Sequence, residues 1–552
     1  MKQPLPWTNG FSLPLVAFLL LIAPFALDFH LHYPDEMYYT DAALKMMQNG
    51  DYLTTYLGNG ELRFKKPILT YWAVLAGFQT LGVSALSSRL LFWLAGAALI
   101  PLVYLIARMA GGQGRLPQWA AWIAATHPVL IFSSTRSIPD ILLALFITLA
   151  ALGVAGLLRF GEEAPKRYLW LFYLSLGLAF EVKGLPAAAL GLIALAYLWL
   201  NPWRALSLQK LLHPPALLSG IAIGLFWFVA MYLRFGPVYL DSFYEDQLGM
   251  RLGSRIWQIA RHFSLALLLM IVLFVPWFLP ALKEVRSAAA ATFRENKAFF
   301  GFLAVWVLSI IAMTGMVSTF YERYLLPVTP LAAVGLAALL LKQPEKNLHR
   351  GLKAAAWVFL GINWLLLLVA LLPLIGLESP WYLSLQWLAG SLLSLFLAFQ
   401  LKLPAYRVQV LGTAILLVFF NLTLVSYPLS IPHQGVQLRA HLEQAAIPEN
   451  SPIAFLGHPH YASKIRIGLG TTYPMKTFAS LAEVPAQYRF LICDASNLEQ
   501  LPVESFDRQL ASLNWDPKYW QVMVAAILSG DTADAKRKWG KKYYWVERRV
   551  SR

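Results

Sequence analysis

The sequence is poor in two kinds of residue, cysteine and charged residues. Cys493 is its only cysteine, so the chain can form neither an intrachain disulfide nor a thiolate metal cluster. Asp, Glu, Lys and Arg make up 13% of the 552 residues, whereas 58% are hydrophobic. Soluble domains carry about 25% charged residues. The low charge, with a mean hydropathy of +0.56, excludes an ordinary soluble protein and indicates a polytopic membrane protein.

The sequence also lacks a P-loop pattern and an internal repeat. Without a P-loop, nothing points to a nucleotide as substrate. Many transporters consist of two repeated halves and place charges near the middle of the membrane. A transporter or flippase for a lipid-linked substrate is therefore the alternative of another class, and the absence of a repeat weighs against it.

Apolar runs long enough to cross a membrane as helix recur through the first 430 residues. We predict about thirteen spans, at 11–27, 84–107, 116–134, 139–158, 168–182, 184–200, 215–233, 263–282, 298–317, 324–341, 354–375, 380–400 and 408–428. The first run follows Lys2 as a signal peptide would, but no clear small-residue cleavage site follows Leu27. We interpret it as a retained helix.

Positive charge in alternate loops sets the orientation. Lys and Arg accumulate in every second loop, beginning with Arg108 and Arg115, which places those loops in the cytoplasm. The loops 28–83 and 234–262 and the region 431–552 are then outside the cytoplasm. Topology signals thus account for much of the net charge of +16, and a nucleic-acid partner is not expected.

Several cations break this rule because they fall at the outer ends of spans or in outer loops. They are Lys65, Lys66, Arg136, Lys183, Arg251, Arg255, Arg261 and Arg323. Basic residues at such depths are costly unless they meet an anion. An anionic ligand at the outer surface of the membrane is therefore expected.

Residues 431–552 differ from the membrane domain, 1–430, in their pattern of apolar and polar residues. This pattern predicts a small α/β domain. Strands are expected at Ser451–Leu456, Tyr488–Cys493 and Tyr543–Val546, and helices at Ser505–Leu513 and Gln521–Leu528. The end of the chain is strongly basic, from Lys536 to Arg549. Such a run is either a solvated face or a surface that docks on anionic lipids.

Two acidic positions stand at the outer surface. Asp35 and Glu36 follow the first span, and Asp140 opens the fourth. Carboxylates are costly against lipid, so they should face water, a cation or a reacting group, and two of them can serve as a base and its electrostatic partner. Alternatively, Asp140 is an ordinary helix N-terminal residue, and the Asp35–Glu36 pair lies in a solvated loop.

Lys65 and Lys66 precede Pro67 and a short amphipathic segment, Ile68–Leu81. We predict an interfacial helix there and a second one from Asp35 to Gln48. Lysines at the start of such a helix either snorkel to lipid headgroups or hold the phosphate of a lipid substrate.

The order of these motifs resembles a family. Pro-Asp-Glu (34–36), Asn-Gly-Asp (49–51), Phe-Lys-Lys-Pro (64–67), Ser-Ile-Pro-Asp (137–140), Val-Lys-Gly (182–184) and Tyr-Glu-Arg-Tyr-Leu-Leu-Pro (321–327) follow one another along the chain. The pattern is similar to GT-C glycosyltransferases of the lipid A aminoarabinose transferase and protein O-mannosyltransferase type. The resemblance spans essentially the whole chain.

The resemblance implies a GT-C fold and an inverting transfer of a sugar, such as 4-amino-4-deoxy-L-arabinose, from undecaprenyl phosphate. The acceptor would be lipid A or another envelope glycolipid, or a protein hydroxyl as in the O-mannosyltransferases. Asp35, Asp140 and Glu36 would be the catalytic acids. The donor phosphate would be bound by a basic and aromatic set: Lys66, Lys65, Lys183, Arg251, Arg255, Arg261, Tyr321 and Tyr324.

One departure from the family concerns a metal. The aminoarabinose transferases have Phe-Glu-Lys-Pro where this chain has Phe-Lys-Lys-Pro, and that glutamate is associated with zinc in the family. Lys65 takes its place here, so no cofactor is assigned. His30, His32 and Glu36 are weak alternatives as metal ligands.

Overall fold

A computed structural model describes residues 10–31, 33, 35–111, 114–244, 256–317, 319–377, 379–429 and 433–549. Three residues from the predicted site fall outside these ranges: His32, Arg251 and Arg255.

The membrane part is helical throughout its described residues. Its helices are α1 (Ser12–Ile22), α2 (Glu36–Asn49), α3 (Leu69–Leu81), α4 (Ala85–Met109), α5 (Arg115–Ala125), α6 (Pro128–Ser134), α7 (Pro139–Phe160), α8 (Arg167–Lys183), α9 (Leu185–Leu200), α10 (Leu208–Leu211), α11 (Pro214–Phe235), α12 (Pro237–Tyr244), α13 (Ile256–Leu273), α14 (Val275–Phe278), α15 (Val285–Glu295), α16 (Lys297–Gly315), α17 (Thr329–Leu341), α18 (Glu345–Gly376), α19 (Trp381–Gln400) and α20 (Arg407–Ser426). A 3-10 helix, Glu322–Val328, leads into α17.

Eight or nine of the thirteen predicted spans are supported by helix length and composition. Within the described residues, eight helices are long and apolar enough to cross a membrane, or nine if Trp257–Leu273 and Val275–Glu295, bent by 67°, form one span. Four predicted spans, 11–27, 116–134, 168–182 and 184–200, instead form helices of 7 to 17 residues. The protein is a multi-pass helical membrane protein in which short and long helices alternate.

Local chain chemistry explains why these apolar runs are interrupted. Pro24 follows α1 closely, and proline lacks the N–H that would continue a helix. Pro128 begins a new helix two residues after Thr126, which divides the run 116–134. Gly184 has a φ of 70° and separates α8 from α9, a conformation that favours glycine. Hydropathy does not detect such breaks.

Helices form at both segments for which interfacial helices are predicted, as α2 and α3. Helix α2 ends at Gly50, whose φ is 68°, and the chain then returns through a loop to Pro67 and α3. The Nε1 of Trp72 on α3 donates to the carbonyl oxygen of Tyr52 in that loop at 2.7 Å. Both helices bury side chains against α4 and each other, so the loop that carries Lys66 is fixed at both ends.

The carboxyl-terminal part contains a mixed five-stranded sheet with the order β2-β1-β3-β5-β4. Its elements are α21 (Gln434–Gln444), β1 (Ile453–Leu456), α22 (Pro459–Leu469), β2 (Met475–Phe478), β3 (Phe490–Asp494), α23 (Ala495–Leu498), β4 (Phe506–Asn514), α24 (Trp520–Ser529), α25 (Thr532–Trp539) and β5 (Lys541–Arg548). Strands β1, β2 and β3 are parallel, and β5 is antiparallel to β3 and β4.

The predicted strands and the helix at 521–528 are confirmed, whereas the helix predicted at Ser505–Leu513 is wrong. That segment is β4, an edge strand paired with β5. Its buried positions include Phe506, Ser512 and Asn514, so its pattern is not regularly apolar. Pairing with the distant β5, which local propensity does not reveal, decides its conformation.

The carboxyl-terminal domain is attached to α2 by a buried ion pair. Arg466 on α22 contacts the Oδ2 of Asp41 at 2.5 Å, and the side chains are only 6% and 9% exposed. The same guanidinium donates to the Met475 carbonyl oxygen and, at 2.9 Å, to the Thr477 hydroxyl. The sheet domain therefore holds the helix that begins beside Asp35.

We predict that Arg466→Leu lowers the free energy of unfolding by about 3–5 kcal/mol, because it leaves the buried Asp41 carboxylate without its partner. Thermal unfolding of the purified protein, followed by tryptophan fluorescence, measures the loss. The control is Arg439→Leu, which breaks an exposed pair with Glu443 and should cost at most about 0.5 kcal/mol. Equal losses in the two variants would contradict the proposed coupling of the domain to α2.

Candidate active site

Glu36 lies beside the site, where it is buried and paired with Arg89. Its two carboxylate oxygens accept from Nε and Nη2 of Arg89 at 2.8 and 2.9 Å, and both side chains are fully buried. Oε1 also accepts from the backbone N–H of Ser137 at 3.1 Å. Such bidentate pairs fix geometry as well as charge. Glu36 therefore acts as a positioning group: its carboxylate holds the Arg89 guanidinium and the backbone N–H of Ser137.

Arg89 joins the parts of the chain that carry the acidic motifs. Besides Glu36, its Nη1 donates to the carbonyl oxygens of Leu27 and Phe29 at 3.1 and 2.6 Å. One guanidinium therefore holds the loop after α1, the start of α2 and, through Ser137, the segment that enters α7. Helix α4, which carries Arg89, is the common support.

Asp35 and Asp140 are joined through Arg323. Nη2 of Arg323 donates to Oδ2 of Asp35 at 2.7 Å, and its Nε lies 3.3 Å from Oδ2 of Asp140. The other oxygen of Asp140 accepts from Nζ of Lys183 at 2.7 Å. The order Asp35, Arg323, Asp140, Lys183 alternates in sign. The structure thus brings the two predicted acids together and adds Arg323 between them.

Exposure divides these two acids into different roles. The side chain of Asp140 is 3% exposed, whereas that of Asp35 is 38% exposed. Asp140 lies in the first turn of α7, where a carboxylate is favourable, and it also pairs with two cations. Asp35 is the acid that a molecule arriving from outside the membrane can reach.

The surroundings of Asp35 raise its pKa above the ordinary value of 3.8, chiefly because burial disfavours the charged carboxylate. The Asp140 carboxylate acts in the same direction, while Arg63, Lys183 and Lys66 limit the rise. A carboxylate with a raised pKa is a stronger base than an ordinary aspartate.

Aromatic rings cover the cations of the site. The guanidinium of Arg323 lies 4.2 Å from the ring centre of Tyr321 and 5.0 Å from that of Tyr33. Nζ of Lys183 lies 4.2 Å from the ring centre of Tyr324. These cation–π contacts stabilise charge where few waters can do so. Tyr321 and Tyr324 therefore both touch cations of the charged row.

A cavity of about 150 Å³ opens beside Asp140 and Lys183. Its lining consists of Lys66, Asp140, Leu143, Ile147, Lys183, Pro186, Leu190, Ile310, Met313, Thr314, Val317, Tyr324 and Pro327. The volume is below the roughly 300–1,000 Å³ of common ligand pockets. This volume is large enough for a phosphate group and the first part of a hydrocarbon chain attached to it.

The lining is charged where α7 begins and apolar deeper along the helices. On α7 it passes from Asp140 to Leu143 and Ile147, a descent of about 10 Å at the rise of an α-helix. From Lys183 it passes to Leu190 on α9 in the same way. The cavity thus combines a polar mouth with an aliphatic wall that continues into the membrane part.

The remaining predicted residues lie elsewhere. Lys65 is exposed and does not line the cavity, although the adjacent Lys66 does. Arg261 on α13 is likewise exposed and outside the lining. His30 lies at the loop held by Arg89, where its carbonyl oxygen accepts at 3.4 Å.

The residues that the structure describes do not form a metal site, and His32, one of the predicted ligands, lies outside them. Among the residues that the structure describes, no three His, Cys, Asp or Glu side chains are grouped so that they could hold an ion. The carboxylate of Glu36 is already engaged by Arg89, and Lys65 stands where the resembling family has a glutamate. No step below uses a metal.

Three arginines of the site were not assigned from the sequence: Arg63, Arg89 and Arg323. Arg323 breaks the charge rule for outer loops and stands in the Tyr-Glu-Arg-Tyr motif, which was the available signal. Arg89 lies five residues into an apolar helix, where a cation is expensive. That cost predicts a buried partner but does not identify Glu36.

Comparison with known proteins finds a matching family and several relatives of this chain. Residues 11–285 match the family described as dolichyl-phosphate-mannose-protein mannosyltransferase, or PMT. The chain is 27% identical over 346 residues to an uncharacterized protein of Aquifex aeolicus, covering 62% of this chain and 64% of that one. It is 26% identical over 377 residues to the undecaprenyl phosphate-alpha-4-amino-4-deoxy-L-arabinose arabinosyl transferase of Pseudomonas aeruginosa strain UCBPP-PA14, covering 67% and 66%. The chain thus spans slightly less than two thirds of the length of these relatives.

The fold is also that of a solved structure. ArnT from Cupriavidus metallidurans, bound to undecaprenyl phosphate, superposes with a TM-score of 0.69 at 17% identity, covering 91% of this chain and 96% of that one. The same protein in the apo state gives a TM-score of 0.68. The GT-C fold that the motifs predict is therefore confirmed, and residues 11–285 of the chain match the PMT family of GT-C glycosyltransferases.

Proposed function

We propose that this protein transfers a sugar from a polyprenyl phosphate, undecaprenyl phosphate, to an acceptor on the periplasmic side of the inner membrane. Lipid A or another envelope glycolipid is the proposed acceptor, and 4-amino-4-deoxy-L-arabinose the proposed sugar. The names of the Pseudomonas relatives and the ligand of the Cupriavidus structure support these choices. The site and the carboxyl-terminal domain would then both be periplasmic.

The observation that carries the proposal is the cavity with a charged mouth and an aliphatic wall. A prenyl phosphate needs both: cations for its phosphate and apolar surface for its chain. Lys66 and Lys183 line the mouth, while Leu143, Ile147 and Leu190 line the wall. Because the volume is small, only the phosphate and the first part of the chain would lie inside, and the rest would extend into the lipid.

In the proposed reaction the bond between the sugar C1 and the phosphate oxygen breaks, and prenyl phosphate leaves with the bonding electrons. Negative charge therefore grows on the phosphate in the transition state. Fixed ammonium groups in a poorly hydrated cavity stabilise such charge without reorganising. Lys66 would make this contact, while Lys183, held by Asp140 at 2.7 Å, would add its field. Tyr324 would donate a hydrogen bond from the same wall.

The acceptor would approach from the side of Asp35, the exposed end of the charged row. A hydroxyl acceptor would give its proton to Asp35 as its oxygen bonds to C1, with inversion at that carbon. An acceptor that is already a phosphate would need orientation instead, which the Asp35–Arg323 pair would supply. Asp140 would keep Arg323 and Lys183 in place, and Glu36 would hold the start of α2.

A protein hydroxyl is the second candidate acceptor, because residues 11–285 match the mannosyltransferase family. The two candidate acceptors can be distinguished by mass spectrometry. Lipid A, other envelope glycolipids and envelope proteins would be compared between cells with and without this protein. A sugar mass lost from lipid A supports the first acceptor, and one lost from peptides supports the second. No change in any envelope species would leave the transport alternative.

We predict that Asp35→Asn lowers the turnover of sugar transfer by about 10²–10⁴-fold, the usual contribution of a general base. Binding of undecaprenyl phosphate should stay within about twofold, since Asp35 does not line the donor cavity. Transfer of radiolabelled sugar and equilibrium binding of the lipid measure the two. Glu61→Gln, an exposed acid in the same loop, is the control and should leave both unchanged. Full activity of Asp35→Asn would exclude it as the base.

Two adjacent lysines provide a matched comparison for the donor phosphate. Lys66→Met should weaken undecaprenyl phosphate binding by at least about tenfold, because a charge-assisted hydrogen bond contributes roughly 1.5–3 kcal/mol. Lys65→Met should change it less than about twofold, since that side chain is exposed outside the cavity. Titration of the lipid into each purified variant gives the affinities. If Lys65→Met weakened binding more than Lys66→Met, Lys65 rather than Lys66 would be the lysine that binds the donor phosphate.

The pH dependence of sugar transfer should reflect the ionisation of the Asp35 carboxyl group. Its carboxylate must be ionised to act, so kcat/KM should fall as the pH drops through a pKa above 3.8. Arg63 lowers this pKa, so Arg63→Gln should move the acid limb to higher pH. Lys65→Gln is the control, as Lys65 does not contribute to the shift of Asp35. An acid limb that stays in place in Arg63→Gln would mean that another group controls it.

A further inference from the structure

A second cavity, of about 630 Å³, lies between the carboxyl-terminal domain and the connection from α18 to α19. It shares no lining residue with the cavity beside Asp140, and its volume lies within the range of small-ligand pockets. No step of the proposed transfer uses it. The membrane part contributes Leu377, Pro380 and Leu383 to the lining, and helix α25 contributes Thr532, Lys536 and Arg537.

The cavity lies at the level where two membrane spans end. Helices α18 and α19 are both long and apolar enough to cross a membrane, and the cavity lies where the chain passes from one to the other. The stretch 354–376 of α18 contains no Asp, Glu, Lys or Arg. It measures about 34 Å at the rise of an α-helix, close to a hydrocarbon core of roughly 30 Å. Its last residue, Gly376, lines the cavity and therefore falls near the headgroup layer.

Apolar contacts hold the carboxyl-terminal domain at this level. Helix α24 meets the end of α18, where Gly376 packs so closely against the side chain of Ile527 that a Cβ would clash. Ile527 and Trp515 belong to one buried cluster, and Leu377 of the membrane part packs against it. The cavity beside this cluster is therefore bounded by a span on one side and by the carboxyl-terminal domain on the other.

Exposed apolar side chains surround the cavity on the membrane side. Trp381 opens α19 and is 76% exposed, and Trp520 opens α24 and is 54% exposed. Tryptophan is enriched where a membrane meets water, because its ring is apolar and its N–H is polar. Ile375, in the last turn of α18, is 76% exposed as well. Apolar surface for lipid chains thus begins directly beside the cavity.

The described lining of the cavity is positively charged. Lys536 and Arg537 line it, and no acidic residue is among the lining residues that the structure describes. The side chain of Arg537 is 77% exposed, and its contact with Oδ1 of Asp534, which is equally exposed, is 3.9 Å long. So long and exposed a pair contributes little, and the guanidinium is able to turn to another anion. Basic side chains at this depth attract anionic headgroups.

We infer that this cavity binds the headgroup of an anionic phospholipid from the leaflet that the carboxyl-terminal domain faces. The phosphate lies against Lys536 and Arg537, and the acyl chains follow the exposed apolar side of α18 that begins at Ile375. The basic end of the chain then docks on anionic lipid rather than forming a solvated face. This lipid is neither the donor nor the acceptor of sugar, so the site goes beyond the proposed function and does not depend on it.

Lipid binding to the delipidated full-length protein, measured by native mass spectrometry in detergent, tests the site. The probes are dioleoylphosphatidylglycerol, dioleoylphosphatidylcholine, which has the same chains without net charge, and glycerol phosphate, which has the phosphate without chains. Lys536→Gln/Arg537→Gln removes both cations of the cavity. Lys476→Gln/Lys538→Gln is the control, because it removes the same charge from exposed positions of the same domain that do not line the cavity.

The unchanged protein should bind phosphatidylglycerol at least about tenfold more tightly than phosphatidylcholine, roughly the attraction of two basic residues to an anionic lipid surface. Lys536→Gln/Arg537→Gln should lose most of this preference, whereas the control should keep it. Glycerol phosphate should bind more weakly than phosphatidylglycerol, because it cannot use the apolar surface at Ile375. The single variant Arg537→Gln, at an exposed position, should lose part of the preference without a change in the temperature of unfolding.

Equal binding of the two phospholipids to the unchanged protein would overturn the inference. So would an equal preference in the two double variants, since the overall charge of the domain, and not this cavity, would then attract the lipid. Glycerol phosphate binding as tightly as phosphatidylglycerol would make the cavity a site for a free anion and would also refute the lipid. None of these outcomes bears on sugar transfer, which the binding of undecaprenyl phosphate tests separately.

Discussion

The buried pair of Arg89 and Glu36 is the interaction on which the arrangement of the candidate site depends. An ionised pair without access to water is tolerable only when its hydrogen bonds are satisfied. Here the carbonyl oxygens of Leu27 and Phe29 and the N–H of Ser137 complete them. Three segments far apart in the sequence must therefore meet at one guanidinium, and that meeting sets Asp35 and Asp140 on either side of Arg323.

The alternating charges of Asp35, Arg323, Asp140 and Lys183 are stabilised by the same kind of pairing. Each buried member has a neighbour of opposite sign, so the row can remain charged in a region that water scarcely reaches. The row ends at Asp35 on the exposed side and at Lys183 on the side of the cavity. Within it, Arg323 and Asp140 pair with each other. Asp35 faces the surface, whereas Lys183 and its neighbour Asp140 both line the cavity.

Sequence reasoning succeeds here where the chemistry is local. The positions of α2 and α3, the acids at their flanks and three strands of the small domain follow from motifs, prolines and apolar patterns. It fails where distant pairing decides: β4 is a strand because β5 lies beside it, and Arg89 matters because Glu36 meets it across 53 residues. The difference between Lys65 and Lys66 is of the same kind, since adjacent residues of one type diverge only when the loop has folded.

The break at Gly184 has a consequence for the surrounding bilayer. Helix α9 has 16 residues and is therefore about 24 Å long, shorter than a hydrocarbon core of roughly 30 Å. Its outer face is apolar and faces away from the protein core, with Leu192 69% and Leu200 64% exposed. A bilayer can accommodate a helix shorter than its hydrocarbon core by thinning locally. Thinning beside α9 would bring lipid headgroups closer to the level of Lys183, the residue at which α8 ends.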